Sequence, residues 1–285
     1  MTVGRAIRLG RLMNGSKARS ACMAFDHGLH VGDVDGVRNL RAGVQFAVDA
    51  GFDGIILSPG AVERAGDLLV GRNRPSIVMR IDHTSMWRIG LPSGYPEGDV
   101  RAITTVAEAA QMGADAVLSY VFIAHRGQEG ERRSIELAAE TAMGARKHGL
   151  AYVAEPMAAR GGLFKDPFDP RVVAIHTRMA VELGADVIKT DWPGSAAACT
   201  AVLKGCAGVP MLVAGGKRSK TDRDTLRLVA DLLAGGANGI MFGRALFESP
   251  EPLRLMRVVR DMIHDDMSFA AAAEKIGATG RKRAA

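Results

Sequence analysis

The sequence predicts an α/β protein, a single (β/α)8 barrel of the TIM type over residues 1–285, with a short N-terminal helix closing the bottom. Three observations support this. Eight short apolar segments alternate with segments of helical periodicity. Strands this short and apolar are typical of a parallel sheet covered on both faces. A glycine motif also recurs before every second strand.

The elements follow in a regular order. A basic helix is predicted first, over residues 3–13, with Asn14 to Ser16 as its exit turn. Eight strands are predicted over residues 20–25, 54–58, 76–81, 116–120, 151–155, 187–189, 210–214 and 239–242. Helical periodicity occupies residues 37–50, 100–112, 134–148, 171–183 and 221–234. An open doubly wound sheet is the alternative fold, but it does not need eight strands of such equal weight.

The recurring motif is a glycine followed two residues later by an acid or amide. Its copies are Gly51-Phe52-Asp53, Gly113-Ala114-Asp115, Gly184-Ala185-Asp186 and Gly236-Ala237-Asn238. A glycine can close a helix in the left-handed conformation, and the following Asp or Asn is typical of an αβ loop. The motif precedes strands two, four, six and eight, which strengthens the prediction of a repeating barrel.

Composition and charge exclude several classes of protein. The chain is 47% hydrophobic but has no run of about 18 apolar residues, so we expect no membrane span. No apolar stretch follows the N-terminal arginines, which argues against a secretory signal. Residues 1–20 and the C-terminal tail together contain eight cations and no acids, which is more than the whole net charge of +6. The positive charge therefore lies at the two ends of the chain and not on the body of the protein. We therefore expect no nucleic-acid partner.

The cysteines indicate a reducing compartment. Cys22, Cys199 and Cys206 form an odd, widely spaced set without a C-x-x-C motif. Such residues are mostly small reduced thiols of the core. We therefore expect a cytoplasmic protein.

Barrel enzymes carry their chemistry at the carboxyl ends of the strands, and Lys189 ends the sixth predicted strand. A buried ammonium must be paired or become neutral, and a neutral lysine is a nucleophile that forms Schiff bases with carbonyl substrates. The alternative is a lysine whose amine reaches water from a strand end. Asp26 and Glu155 end the first and fifth strands and could exchange protons with a substrate. Their alternatives are loop capping by Asp26 and pairing of Glu155 with Arg160.

A phosphate site is predicted after the last two strands, where barrels of this type often bind phosphate. Gly215 and Gly216 follow the seventh strand, and Gly243 and Arg244 follow the eighth. Glycines let backbone amides approach an anion, and an arginine can bind it with two donors, although tight turns alone would also explain the glycines. His27 is a weaker candidate for substrate binding. No metal-binding spacing of histidines is present, so no metal or other cofactor is expected.

Four segments closely resemble one known family. Residues 23–28, 184–190, 213–217 and 243–247 are similar to the class I, Schiff-base aldolase family that groups archaeal-type fructose-bisphosphate aldolase, tagatose-bisphosphate aldolase and deoxyribose-phosphate aldolase-like proteins. The resemblance extends from the N-terminal helix to about Ile263. It implies that Lys189 is the Schiff-base residue, that Asp26 acts with it, and that the phosphate loops contain Gly215, Gly216, Gly243 and Arg244.

The fifth strand departs from part of that family. Archaeal-type fructose-bisphosphate aldolases carry a proton-transferring tyrosine just before Pro-Arg-Gly, whereas this chain has Glu155-Pro156 there. The glutamate looks more like the tagatose-bisphosphate and sulfofructose-phosphate branches, in which a glutamate serves. The departure leaves open which ketose phosphate is the substrate.

The resemblance implies a lyase acting on a small-molecule sugar phosphate. Such an enzyme cleaves or forms a carbon–carbon bond of a phosphorylated ketose through a lysine Schiff base, giving dihydroxyacetone phosphate and an aldehyde. The alternatives are a thiolase acting on phosphorylated autoinducer-2, which transfers an acyl group to coenzyme A, and a shikimate-precursor synthase of the same family. A metabolite sensor without turnover is a further alternative. Because relatives form rings, we also expect a homo-oligomer.

Overall fold

The computed structural model describes residues 2–33, 36–88, 95, 97–215 and 220–277. Eight parallel strands form a closed barrel, in which the eighth strand pairs with the first. The strands are β1 (Ser20–Ala24), β2 (Gly54–Leu57), β3 (Ser76–Arg80), β4 (Ala116–Ile123), β5 (Ala151–Ala158), β6 (Val187–Thr190), β7 (Met211–Ala214) and β8 (Gly239–Phe242). The predicted (β/α)8 fold is therefore confirmed.

Helices surround the barrel and connect its strands. They are α1 (Val3–Leu12), α2 (His27–Val31), α3 (Leu40–Asp49), α4 (Pro59–Ala65), α5 (Val106–Gln111), α6 (Gln128–His148), α7 (Pro170–Glu182), α8 (Ala196–Leu203), α9 (Asp222–Ala234), α10 (Arg244–Phe247), α11 (Pro252–His264) and α12 (Phe269–Gly277). Short 3-10 turns cover Gly66–Leu69, Met86–Arg88 and Lys204–Cys206. Among the helices within the described residues, none combines the length and apolarity that a bilayer span needs.

One predicted helix begins later than its periodicity indicates. Residues 100–112 were predicted as helical, but Val100–Ala102 forms a strand that pairs antiparallel with Asp82–Thr84. Thr105 then starts α5 through a capping box with Glu108, so the helix begins at Val106. The prediction was wrong for residues 100–105 because the hairpin partner lies far away in sequence and leaves no local periodic signal.

The lower interior of the barrel is a closed apolar core. Inward-facing side chains such as Cys22, Val153 and Leu212 form one cluster with Leu12 and Met13 from the end of α1. The basic N-terminal helix therefore closes the bottom of the barrel, as predicted. Because this end is filled, polar chemistry inside the barrel is confined to the opposite, carboxyl ends of the strands.

The four glycine motifs lie at the same end as α1, and their acid or amide side chains bind the N-terminal segment. The contacts join Asp186 to Arg5, Asp115 to Arg11, Asp53 to Asn14, and Asn238 to the carbonyl of Ala18. Asp53, Asp186 and Asn238 also accept hydrogen bonds from backbone amides of the first or second residues of neighbouring strands. We call these four side chains the basal ring. The repeat seen in the sequence therefore fastens the N-terminal segment to four positions around the barrel.

The strongest of these contacts predicts a stability effect. Arg5 binds Asp186 through two hydrogen bonds, of 2.7 Å from Nε and 2.6 Å from Nη2, and the two side chains are only 13% and 5% exposed. Arg5→Ala leaves a largely buried carboxylate without its cation, so we expect a loss of roughly 3 kcal/mol in the free energy of unfolding in urea. Arg11→Ala is the control: Arg11 is 63% exposed beside Asp115, and its loss should cost below about 1 kcal/mol. Equal losses in the two variants would contradict this assignment.

Candidate active site

Lys189 lies inside the barrel and not at its solvent-facing rim. The residue stands on β6, and its Nζ is 2.6 Å from Oε1 of Glu155 on β5. The two side chains are 6% and 3% exposed. The structure therefore contradicts the alternative of an amine in water. It also contradicts the pairing of Glu155 with Arg160, whose Nη2 instead lies 2.7 Å from Asp191.

Arg80 connects three carboxylates above the apolar core. This fully buried side chain ends β3, and its Nε is 2.8 Å from Asp26 Oδ2 while Nη1 is 3.1 Å from Asp82 Oδ1. Its Nη2 contacts Oε2 of Glu155, the carboxylate whose other oxygen faces the lysine. The guanidinium carbon also lies 3.9 Å from the centre of the Tyr120 ring. Sequence reasoning missed this residue, although an arginine within the apolar run of residues 76–81 was the available signal.

We call Lys189, Arg80, Asp26, Asp82 and Glu155 the charged cluster. Burial raises the pKa of the Glu155 carboxyl, but the charges of Lys189 and Arg80 outweigh burial and lower it below its usual value. Burial is likewise outweighed at Asp26, where the charges of Arg80 and Lys189 and the nearby His30 imidazole hold the pKa well below its usual range. At Asp82 burial prevails over Arg80, and the pKa is raised. Asp26 and Glu155 are therefore the two carboxylates that stay ionised most readily.

Asp26 does not cap the loop that follows it. The residue stands at the N-cap position of α2, but its side chain makes no capping hydrogen bond. Its carboxylate instead faces Arg80, with His30 Nε2 3.7 Å away. The structure thus contradicts the capping alternative and places Asp26 within the charged cluster.

A polar network lies behind Arg80. The Tyr120 hydroxyl accepts a hydrogen bond of 2.8 Å from Trp87 Nε1 and lies 3.2 Å from His30 Nε2. Burial raises the pKa of Tyr120 well above its usual value, so the phenol stays neutral. Tyr120 stands directly opposite Glu155 in the pairing of β4 with β5. The network therefore fixes one wall of the cluster with hydrogen-bonding side chains.

The two predicted phosphate loops are described in part. A Cβ added to Gly243 would lie 2.2 Å from His27 Cε1 and 2.8 Å from the Ala24 carbonyl oxygen, so a side chain there would collide with the end of β1. A Cβ on Gly215 would lie 2.9 Å from the Phe242 ring. The backbone is thus closely packed at both loops. Gly216 lies outside the described residues, and phosphate binding stays a prediction.

His27 is a neutral group beside these loops. Burial lowers its pKa to about 4, and the charges of Lys189 and Arg244 add to this effect while Asp26 opposes it. Its Nδ1 is buried and has no hydrogen-bond partner among the described residues. His27 would therefore contact a phosphate as a neutral hydrogen-bonding group and not as a cation.

A metal site would need several ligands with free oxygen or nitrogen atoms. In the part of the chain that the structure describes, no group of three or more His, Cys, Asp and Glu side chains is arranged to bind a metal ion. The two carboxylate oxygens of Asp82 accept hydrogen bonds from Arg80 Nη1 and from the Tyr120 backbone amide. The carboxylates of the charged cluster are thus occupied by protein donors.

A closed (β/α)8 barrel with a buried lysine beside carboxylates at the carboxyl ends of its strands has the architecture of a lysine-dependent barrel enzyme. Residues 20–249 match the family described as DeoC/LacD family aldolase, and the chain belongs to that family. It is thus an aldolase-type enzyme of class I, as the sequence resemblance implied.

Individual relatives agree with this placement. A 2-amino-4,5-dihydroxy-6-oxo-7-(phosphonooxy)heptanoate synthase of Streptomyces griseus is 31% identical over 274 residues, which cover 96% of this chain and 95% of the relative. An uncharacterized aldolase of Saccharolobus solfataricus is 28% identical over 95% of this chain and 98% of its own length. A solved structure of a Schiff-base-forming fructose-1,6-bisphosphate aldolase has a TM-score of 0.79 at 26% identity, covering 91% of this chain and all of that one.

The state of His27 is open to direct measurement. We expect the pKa of its imidazole to be about 4 in the folded protein, because burial disfavours the charged form. Histidine-selective NMR over a pH series would give this value. In Asp26→Asn the pKa of His27 should fall further, since the Asp26 charge raises it. A pKa of His27 near 6.5 in the wild type would contradict the buried, neutral assignment.

Proposed function

We propose that this protein cleaves or forms a carbon–carbon bond of a phosphorylated ketose through a Schiff base on Lys189, with dihydroxyacetone phosphate and an aldehyde as the other partners of the reaction. The observation that carries the proposal is the contact of 2.6 Å between the buried Lys189 Nζ and Glu155 Oε1. A buried amine in contact with an ionised carboxylate has its proton acceptor in place before the substrate arrives.

Glu155 serves the amine in this mechanism. It takes a proton from the Lys189 ammonium, and the free amine then adds to the ketone carbon of the substrate. Addition gives an alkoxide and a protonated nitrogen, and Glu155 passes its proton to the alkoxide oxygen to form the hydroxyl. Glu155 then takes the second proton from the nitrogen and returns it to the hydroxyl, which leaves as water. The product is an iminium, and every proton that leaves the amine has an acceptor within direct contact.

Asp26 serves the bond that breaks. The iminium is an electron sink, so the bond between the third and fourth carbons breaks when the hydroxyl on the fourth carbon loses its proton. The electron pair of that bond forms a new carbon–carbon double bond while the π pair of the iminium moves to the nitrogen. The product on Lys189 is an enamine, and the aldehyde departs. Asp26 lies just after β1 and contacts Arg80 through Nε, whereas Glu155 contacts both Arg80 Nη2 and the Lys189 amine. Asp26 is therefore suited to receive the hydroxyl proton while Glu155 stays with the amine.

The phosphate loops orient the substrate in this proposal. Gly215, Gly216, Gly243 and Arg244 bind the phosphate next to the ketone and so place the carbonyl over Lys189. Fixing a reacting group in this way can lower the activation barrier by as much as about 7–11 kcal/mol. The tight packing of Gly243 against His27 and Ala24 supports a loop whose shape is set before the substrate binds.

The named relatives support the substrate class. One is a fructose-1,6-bisphosphate aldolase structure, and the heptanoate named for the Streptomyces griseus synthase carries a ketone beside a phosphorylated carbon and hydroxyls on the next two carbons. That order of groups is what addition of dihydroxyacetone phosphate to an aldehyde would leave. Carbon–carbon bond formation in the synthetic direction is therefore the second candidate for the physiological reaction. Assays in both directions, over ketose mono- and bisphosphates and over a panel of aldehydes, separate the two.

Lys189 itself is tested by covalent trapping. Sodium borohydride with a substrate ketose phosphate should reduce the iminium and add the ligand mass to Lys189, which peptide mass spectrometry would locate. Lys189→Met should abolish trapping and lower kcat/KM on the order of 10³-fold or more, because no other route to the electron sink remains. Trapping at another lysine would contradict the assignment. If substrates bind but none of them is trapped, acyl transfer to coenzyme A is favoured. If they bind but are not turned over, a metabolite sensor is favoured.

The division of labour between the two carboxylates predicts different defects. Glu155→Gln removes the base beside the amine and should slow borohydride trapping and turnover together, by about 10²–10⁴-fold. Asp26→Asn should slow turnover by a similar factor but trapping much less, because iminium formation does not need Asp26 in this scheme. Single-turnover trapping rates beside steady-state kcat separate the steps. Equal trapping defects in the two variants would contradict the division.

A further inference from the structure

We propose that Arg80, which contacts both Asp26 and Glu155, is a positioning residue that keeps these two carboxylates ionised at the same time beside Lys189. The catalytic consequence of this inference rests on the function proposed above, whereas the ionisation states can be measured without any reaction. The sequence alone predicts Arg80 only as part of the third strand.

The burial of Arg80 requires ionised partners. Its side chain has no exposed surface, and a guanidinium does not give up its proton inside a protein. Its three nitrogens each contact a different carboxylate, and those carboxylates come from the loop just after β1, from within β5 and from the hairpin strand after β3. Only a rigid, planar fork reaches three acceptors in this way, so a lysine at position 80 would keep the charge but lose the geometry.

The charges of the cluster explain why this matters. Glu155 contacts Lys189, and the Lys189 charge lowers the pKa of Asp26 as well. The charge of Asp26 in turn raises the pKa of Glu155, as expected when two carboxylates share one site. With Lys189 as the only cation, one of them would bind a proton. A protonated Glu155 has no capacity to accept the proton of the Lys189 ammonium. Arg80 adds the second positive charge that lets both carboxylates remain anions.

The ionisation of the pair is set by the groups that face it from every side. These groups are Arg80, Lys189, Asp82, His27, His30, Tyr120 and Asp191. Arg80 and Lys189 are the basic side chains among them, whereas Tyr120 and His27 are neutral at pH 7. Burial raises the pKa of Asp82 and of Asp191. Arg80 is the member of this set that touches both Asp26 and Glu155.

The first test reads ionisation and not activity. Carboxyl-labelled aspartate and glutamate in the wild type, in Arg80→Lys and in Arg80→Met would be titrated by carbon NMR, with Glu155→Gln and Asp26→Asn assigning the signals. We expect both carboxylates of the wild type to titrate below their usual range, and at least one to titrate above it in each Arg80 variant. Unchanged titrations in the variants would overturn the proposal. A pKa of Asp26 or Glu155 at or above its usual value in the wild type would also overturn the proposal. This measurement tests the proposal even if neither Arg80 variant folds.

The second test separates this role from a merely structural one. The rate of borohydride trapping at pH 6 should fall on the order of tenfold or more in Arg80→Lys, and its acid limb should move to higher pH, since a larger share of the carboxylates is then protonated. Arg5→Lys is the matched control, because it disturbs another largely buried arginine–carboxylate contact, which lies at the opposite end of the barrel. It should lower the melting temperature and leave the pH profile of trapping unchanged. If the pH profiles of trapping move equally in both variants, the proposal is overturned. If no substrate can be trapped on the wild-type protein, the proposed function is refuted, but the NMR test of the ionisation states remains valid.

Discussion

The rest of the site depends on one constraint, which is that a charge inside a barrel must meet its counter-charge there. Lys189 and Arg80 lie almost without solvent contact, so the carboxylates of Asp26 and Glu155 must lie within direct reach of them. The same contacts that make burial tolerable also place a proton acceptor on the reactive amine. Stability of the charged cluster and readiness for chemistry therefore have a common physical origin.

The two ends of the barrel use ion pairs for different purposes. At the carboxyl ends the charges share one enclosed site, where each pKa depends on its neighbours. At the opposite end the acids of the basal ring stand apart, and each meets its own partner from the N-terminal segment. The apolar layer that includes Val153, Leu212 and Leu12 separates the two sets of charges. This separation lets one end be tuned for proton transfer without loosening the other.

Local patterns were sufficient to predict much of this molecule. Periodicity gave the eight strands and the basal helix, and the position of Lys189, Asp26 and Glu155 at strand ends gave their proximity. Contacts between distant residues were missed, since sequence spacing carries no information on them. The strand at Val100 depends on a partner near residue 83, and Arg160 pairs with Asp191 and not with the nearer Glu155. Arg80 was missed because its importance lies in three partners from three separate segments.

The basal ring also has a consequence for the order of assembly. Its members precede the second, fourth, sixth and eighth strands, so each quarter of the barrel supplies one docking point for the N-terminal segment. The last of them, Asn238, lies more than two hundred residues from its partner Ala18. Contacts of such long sequence separation close large loops of chain, and this makes their formation slow. The part of the chain that the ribosome makes first therefore cannot complete its contacts until the residues entering the eighth strand have been made.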